Sequence, residues 1–372
     1  VEILSMRIAD CLGRSKARAI GAAVIAATAF LASAGTLPAL AAAHPPTVPD
    51  NIHGKDGVKA YLLMVVDSSS QGATDLKKIA VAYDQLVTAH GGAVQAAQAE
   101  PQKMADLIHD MRDAYERIDS YGYEYMEGIV AGVPSLMKYD IELDSGVPQK
   151  GAQLSDTVAD ITIKSADHDS IKEGSLNNFL IEPTVFGTNP PFVAGTASLP
   201  GFDKPVNLPK PKWLMAIADY AIGGYARLKT DSIAWQPTDK DCFHVLVNMT
   251  PTLADYFDDW KESRKYGAAS GGRFVAVSRV SDMRGIMKST RLTWLAVHDE
   301  VDGKNPKLAA TISDGYDRVL TFIDRIDERN EAKPLNIEMI DKLGTQAKER
   351  ADKLTVQASE SATLMGIDAS AR

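Results

Sequence analysis

Between Pro101 and Gly132, apolar and small positions recur at the spacing of one helix face: Met104, Leu107, Ile108, Met111, Tyr115, Ile118, Gly122, Tyr125, Met126 and Ile129. A stripe of that period predicts a single long amphipathic helix. Pro101 suits its first turn, and Gly132 followed by Pro134 supplies a stop. The C-terminal third repeats the pattern. Ala276, Val280, Met283, Met287, Thr290, Trp294, Val297 and Val301 step by four and three. Asn305 before Pro306 reads as a cap, and Leu308, Ile312, Tyr316, Val319, Ile323 and Ile326 carry the next helix. Ile337, Ile340, Gly344, Ala347, Ala351, Leu354, Ala358, Ser361 and Met365 define the last one, whose small residues allow a close antiparallel neighbour. Alternation of period two is weak and confined to Thr157–Lys164. The pattern predicts an all-α protein.

Two stretches break the helical period. Residues 145–170 are rich in Gly, Ser and Asp, and residues 183–211 hold seven of the 18 prolines, too many for continuous helix. The chain therefore divides into an N-terminal antiparallel bundle at 55–187, a Pro-rich connector at 188–208 and a C-terminal bundle at 209–366. The connector, with Phe192 and Phe202 expected at its surface, is long enough to expect a role of its own.

The first 43 residues read as an export signal. Arg7, Arg14, Lys16 and Arg18 precede an apolar run from Ala19 to Ala34, and small residues follow up to Ala43. That order predicts cleavage near Ala43 and a periplasmic protein beginning near His44. Cys242 would then be the one remaining thiol, expected as a buried structural residue.

Composition narrows the function classes. The chain has 372 residues, a formal net charge of −9 and 45% hydrophobic residues, enough to bury a core without staples. The acidic balance argues against a nucleic-acid partner. No H-x-x-H, H-E-x-x-H, C-x-x-C or G-x-S-x-G occurs, so neither a metallopeptidase nor a serine hydrolase is expected, and the protein reads as a non-enzyme. The glycine-rich run Gly267–Gly272 lacks the Gly-Lys-Ser/Thr ending of a phosphate loop and reads as a helix connection. Arg284, Lys288, Arg291 and His298 form a basic stripe expected to pair with Asp314, Asp317, Asp324 or Asp327 on the following helix.

Three runs resemble the imelysin-like family, which includes the EfeO-type periplasmic iron-uptake components. Arg112-x-x-Tyr115-Glu116-Arg117-Ile118 is similar to the R-x-x-Y-E-R-I run of the EfeO-type members. Tyr139-Asp140-x-x-Leu143-Asp144-Ser145-Gly146 falls where they carry a leucine-aspartate stretch. Leu180-Ile181-Glu182-Pro183-Thr184-Val185-Phe186-Gly187 resembles the second half of their G-x-H-x-x-E signature. The resemblance implies two helical bundles and a metal ion held between a histidine and a glutamate one turn apart. Here the histidine position is Phe179 and the glycine position is Asn177. Phenylalanine has no lone pair to offer, so the family's ion site must be lost or rebuilt.

A rebuilt site would rest on Glu182, set among Phe179, Ile181, Val185 and Phe186, with Glu116, Glu124 and Asp144 as co-ligands. An all-oxygen set suits a hard cation or ferric iron. The bland alternative pairs Glu182 with Arg112 or Arg117. The first expectation is thus a non-catalytic periplasmic protein of metal, chiefly iron, acquisition, working with an inner-membrane permease or envelope protein. The second is a metal-free envelope protein that binds a protein or polymer through its Pro-rich loop.

Overall fold

The structure, a computed structural model, describes residues 45–47, 53–144, 161–258, 260–261 and 279–369. The export signal, residues 145–160, the glycine-rich run and Ala276 lie outside the described residues.

Helices dominate. They are α1 (Gly54–Ala89), α2 (Ala93–Ala99), α3 (Pro101–Ile118), α4 (Glu124–Gly132), α5 (Met137–Leu143), α6 (Glu182–Val185), α7 (Pro211–Ala234), α8 (Asp239–Met249), α9 (Arg279–Asp302), α10 (Pro306–Ala332) and α11 (Ile337–Leu364). Two antiparallel hairpins supplement them: β1 (Ile161–Lys164) with β2 (Ser170–Glu173), and β3 (Val193–Ala197) with β4 (Val206–Pro209). No helix among the described residues is long and apolar enough to cross a membrane.

The expected helix over 101–132 opens at Pro101 and closes at Gly132, but it is not uniform. A π-turn, Asp119–Tyr123, joins α3 to α4. A second π-turn, Leu176–Ile181, leads into α6. Each adds a residue to the helical circuit and rotates the helix downstream of it. The apolar stripe stays buried on both sides of the first turn, from Met104 through Ile129.

The long helices cross without regard to the Pro-rich segment. α1 packs on α3 and α7, α4 packs on α8 and α9, and α9 also packs on α10. The α4–α9 crossing is close because both helices present glycine. A Cβ on Gly128 would lie 2.5 Å from Ser289 Oγ and 2.7 Å from Thr290 Oγ1, and one on Gly285 would lie 2.7 Å from the Glu124 carbonyl carbon. Polar signals set the later helix starts. Asn305 Oδ1 accepts from Leu308 N–H at 3.1 Å, and Asn336 Oδ1 accepts from Met339 N–H at 2.8 Å. Arg284 pairs with Asp324 and Asp327, and Arg291 with Asp317, in keeping with the charge pattern of the sequence.

The Pro-rich stretch is a folded cover. Pro190–Phe192 forms one 3₁₀ turn that runs into β3, and the β3–β4 hairpin packs on α2. Lys210 N–H donates to Phe192 O at 2.7 Å, and Tyr83 Oη donates to Pro209 O at 2.8 Å. Phe192 is 0% exposed, so the surface position expected for it is corrected: its ring closes the core. Ile337, expected on the buried seam of α11, is 38% exposed. Cys242 is buried, and desolvation pushes its thiol up to about 12.

Candidate metal centre

The interior between α3, α4, α5, α6 and α9 holds an unusual density of acid. Asp119, Glu124, Glu127, Asp144, Glu182 and Asp282 are all buried. Asp140 is half-buried beside them. Asp119 belongs to the first π-turn, Glu124 and Glu127 to the first turn of α4, and Asp282 to the first turn of α9. Asp144 caps the end of α5, and Glu182 opens α6.

The π-turn explains why Asp119 and Glu124 meet. In an α-helix, neighbours on one face stand three or four residues apart, so a pair five apart diverges. Here Glu124 N–H donates to Asp119 O, an i to i+5 link that stacks the two residues one turn above the other. With Asp144, each offers a carboxylate oxygen, and the three oxygens lie within 4.8 Å of one another. Oxygen ligands around a hard cation stand about 2.3–2.6 Å from it, so three oxygens at this spacing can share one ion.

Hydroxyls and amides hold the walls. Tyr115 Oη lies 2.7 Å from Asp119 Oδ2 and 2.9 Å from Glu182 Oε2. Tyr123 Oη donates to Asp140 Oδ1 at 2.9 Å, and Tyr256 Oη donates to Glu127 Oε1. The second π-turn contributes two asparagines. Asn178 Nδ2 donates to Asp144 O at 2.6 Å and to Oδ1 at 3.2 Å, while Asn177 Nδ2 donates to Tyr225 Oη at 3.2 Å. Among the described residues, no N–H or hydroxyl donor reaches buried Glu124 Oε2 or Glu127 Oε2.

Electrostatics make the cluster costly without positive charge. Desolvation holds the Glu124 carboxyl well above the usual range, and the next influences are four further acids: Asp282, Asp144, Glu127 and Asp119. Desolvation, reinforced by Asp140, raises Glu127 to about 8 against the opposing interactions with Tyr256 and the Glu124 carboxyl. Burial lifts Asp140 to about 6, against the hydrogen bond from Tyr123. Such carboxyls must keep their protons or gather around a cation. An all-oxygen donor set with an orphaned glutamate oxygen fits a hard ion.

Among the residues expected from sequence, Glu124 and Asp144 stand in the three-oxygen group. Glu182 is one hydroxyl removed, joined to Asp119 through Tyr115. Glu116 is half-buried, and desolvation, with the Asp113 charge second, raises its carboxyl above the usual range. Arg112 lies with its guanidinium carbon 5.0 Å from the centres of both Phe186 and Phe202. Arg117 pairs with Asp75 at 3.0 Å. The Phe179 ring is half-buried and packs against Gly174, whose Cβ would lie 2.7 Å from it.

The chain matches no family model, no curated protein and no solved structure. The site therefore stands on its own geometry.

Sequence reasoning misses Asp119, Glu127, Asp140 and Asp282 as site residues. A signal exists for two of them. Asp119 sits four residues after Tyr115 on the apolar stripe, and Asp282 lies between Val280 and Met283. An acid on a buried stripe requires a partner.

Proposed function

We propose that this chain is a non-catalytic, exported metal-acquisition protein of imelysin-like type, with iron as its cargo. Asp119, Glu124 and Asp144 hold the ion, and Glu182 acts from behind through Tyr115. One observation carries the reading: three buried carboxylates converge within 4.8 Å, and one of them, Glu124, keeps an oxygen that no N–H or hydroxyl donor reaches among the described residues. The export-like leader and the R-x-x-Y-E-R-I run support a periplasmic setting and delivery to an inner-membrane permease or envelope protein. The family's two bundles become, in this reading, two halves of sequence whose helices interdigitate. The alternative, partner capture through the Pro-rich loop, loses support because Phe192 is in the core.

Metal-free protein titrated with ferrous ion under nitrogen, and with ferric ion, tests the proposal. Bound iron after desalting should approach one ion per chain in the wild type. Glu124→Gln and Asp144→Asn should retain little, and Glu116→Gln should match the wild type. Wild-type protein that emerges without metal, or equal retention in Glu124→Gln, refutes it.

A further inference from the structure

Arg112 is a cation that the described residues clasp but do not neutralise. Among the described residues, the other half-buried arginines have oxygen partners. Arg117 has Asp75, Arg284 has Asp324 and Asp327, Arg291 has Asp317, and Arg350 donates to the Gln346 carbonyl. Arg112 has rings instead. Its guanidinium carbon sits 5.0 Å from the centres of both Phe186 and Phe202, and its Nε is buried without an acceptor. The Phe202 ring is itself stacked on His109, centroids 4.3 Å apart and planes 14° from parallel. On the other side Phe186 meets Tyr115 edge-on at 5.5 Å. Both rings are thus fixed from behind.

Burying a guanidinium costs free energy, and here desolvation lowers its pKa with no carboxylate to offset the loss. Aromatic rings recover part of that through cation–π attraction, but they offer no oxygen acceptor to the guanidinium N–H groups. A half-buried planar fork of donors beside two aromatic rings is suited to bidentate capture of a carboxylate or phosphate. We propose that Arg112, between Phe186 and Phe202, is a binding point for the oxyanion group of a small carboxylate or phosphate ligand. This binding point is separate from the metal centre, since it uses none of the acidic cluster and is tested in metal-free protein.

The test uses the full chain labelled with ¹⁵N-arginine. The Arg112 Nε–H resonance is identified by its loss in Arg112→Lys, and inorganic phosphate and citrate are titrated separately against sodium chloride of matched ionic strength. Saturable movement with phosphate identifies a phosphate-type ligand, and movement with citrate alone identifies a carboxylate-type ligand. Calorimetry should then show affinity at least about tenfold weaker in Arg112→Lys, because an ammonium cannot reproduce the fork. Phe202→Leu, which opens one face of the slot, should weaken binding with the helical circular dichroism unchanged, and it carries the comparison if Arg112→Lys does not fold. A resonance that neither anion moves beyond the chloride control, or equal affinity in the variants, overturns the proposal.

Discussion

Glu127 shows what burial does to one carboxyl group. It sits on the first turn of α4 with one oxygen accepting from Tyr256 and the other reached by no N–H or hydroxyl donor among the described residues. Desolvation and Asp140 hold it at about 8, and Asp140 itself is held at about 6. Both lie above the values of roughly 4 that an unfolded chain gives. Between those limits the folded protein keeps protons that the unfolded chain has released. Stability contributed by these groups is therefore greatest at acid pH and declines as pH rises from roughly 4 to 8. Metal-free protein in chelator should lose unfolding free energy between pH 5 and pH 8, on the order of several kcal/mol, with its urea midpoint falling accordingly. In Glu127→Gln the amide cannot ionise, so the decline between pH 6 and 8 should become shallower, leaving the part that Glu124 contributes, and the variant should exceed the wild type at pH 8. Urea titrations at pH 5, 6.5 and 8 read this directly. A wild-type midpoint that climbs with pH would mean that the acids are ionised and offset by positive charge.

The helices themselves are largely legible in the sequence, since period, caps and stops are local. Pro101, Gly132, Asn305 and Pro306 mark the boundaries found in the structure. The two π-turns are not legible. Asp119–Tyr123 continues the apolar stripe, and its extra residue shows only in which carbonyl the Glu124 N–H reaches. The pairing of two of the three oxygens depends on that one shift, so Glu124 and Asp144 are visible as acids near core stripes while their meeting with Asp119 is not. The α4–α9 crossing is the second element-scale device, because it brings the α9 backbone against Glu124. Gly128→Ala places a Cβ 2.5 Å from Ser289 Oγ and 2.9 Å from the Ile286 carbonyl oxygen. The helices must separate to admit it, at a cost of about 1–3 kcal/mol. Thermal denaturation should register this as a drop of several degrees. The same substitution should weaken iron retention, since the Glu124 turn moves with the crossing. Unchanged stability would show that the crossing has slack.

At the scale of the whole molecule, the Pro-rich segment changes its role. Proline spacing predicts where helix cannot run, but it cannot tell a free arm from a folded cover, because that depends on what the intervening side chains find to pack on. Phe192 finds the core, Leu199 and Leu208 are buried with it, and Tyr83 reaches across from α1 to the Pro209 carbonyl. If the segment were a connector that only presents side chains to a partner, removing residues 188–206 would leave the helices as stable as before. The packing leads to the opposite expectation: the deletion strips β3 from β4 and uncovers α2. Phe192→Ala isolates the largest single contribution, and truncating a fully buried phenylalanine costs about 3–5 kcal/mol. A large share of the stability of a typical domain would go with it. In guanidinium titrations the midpoint of Phe192→Ala should fall steeply with the slope unchanged, whereas Phe202→Ala, whose ring lies between His109 and Arg112 nearer the surface, should lose much less. Equal, small losses in both variants would restore the segment to a surface loop and reopen partner capture as its purpose.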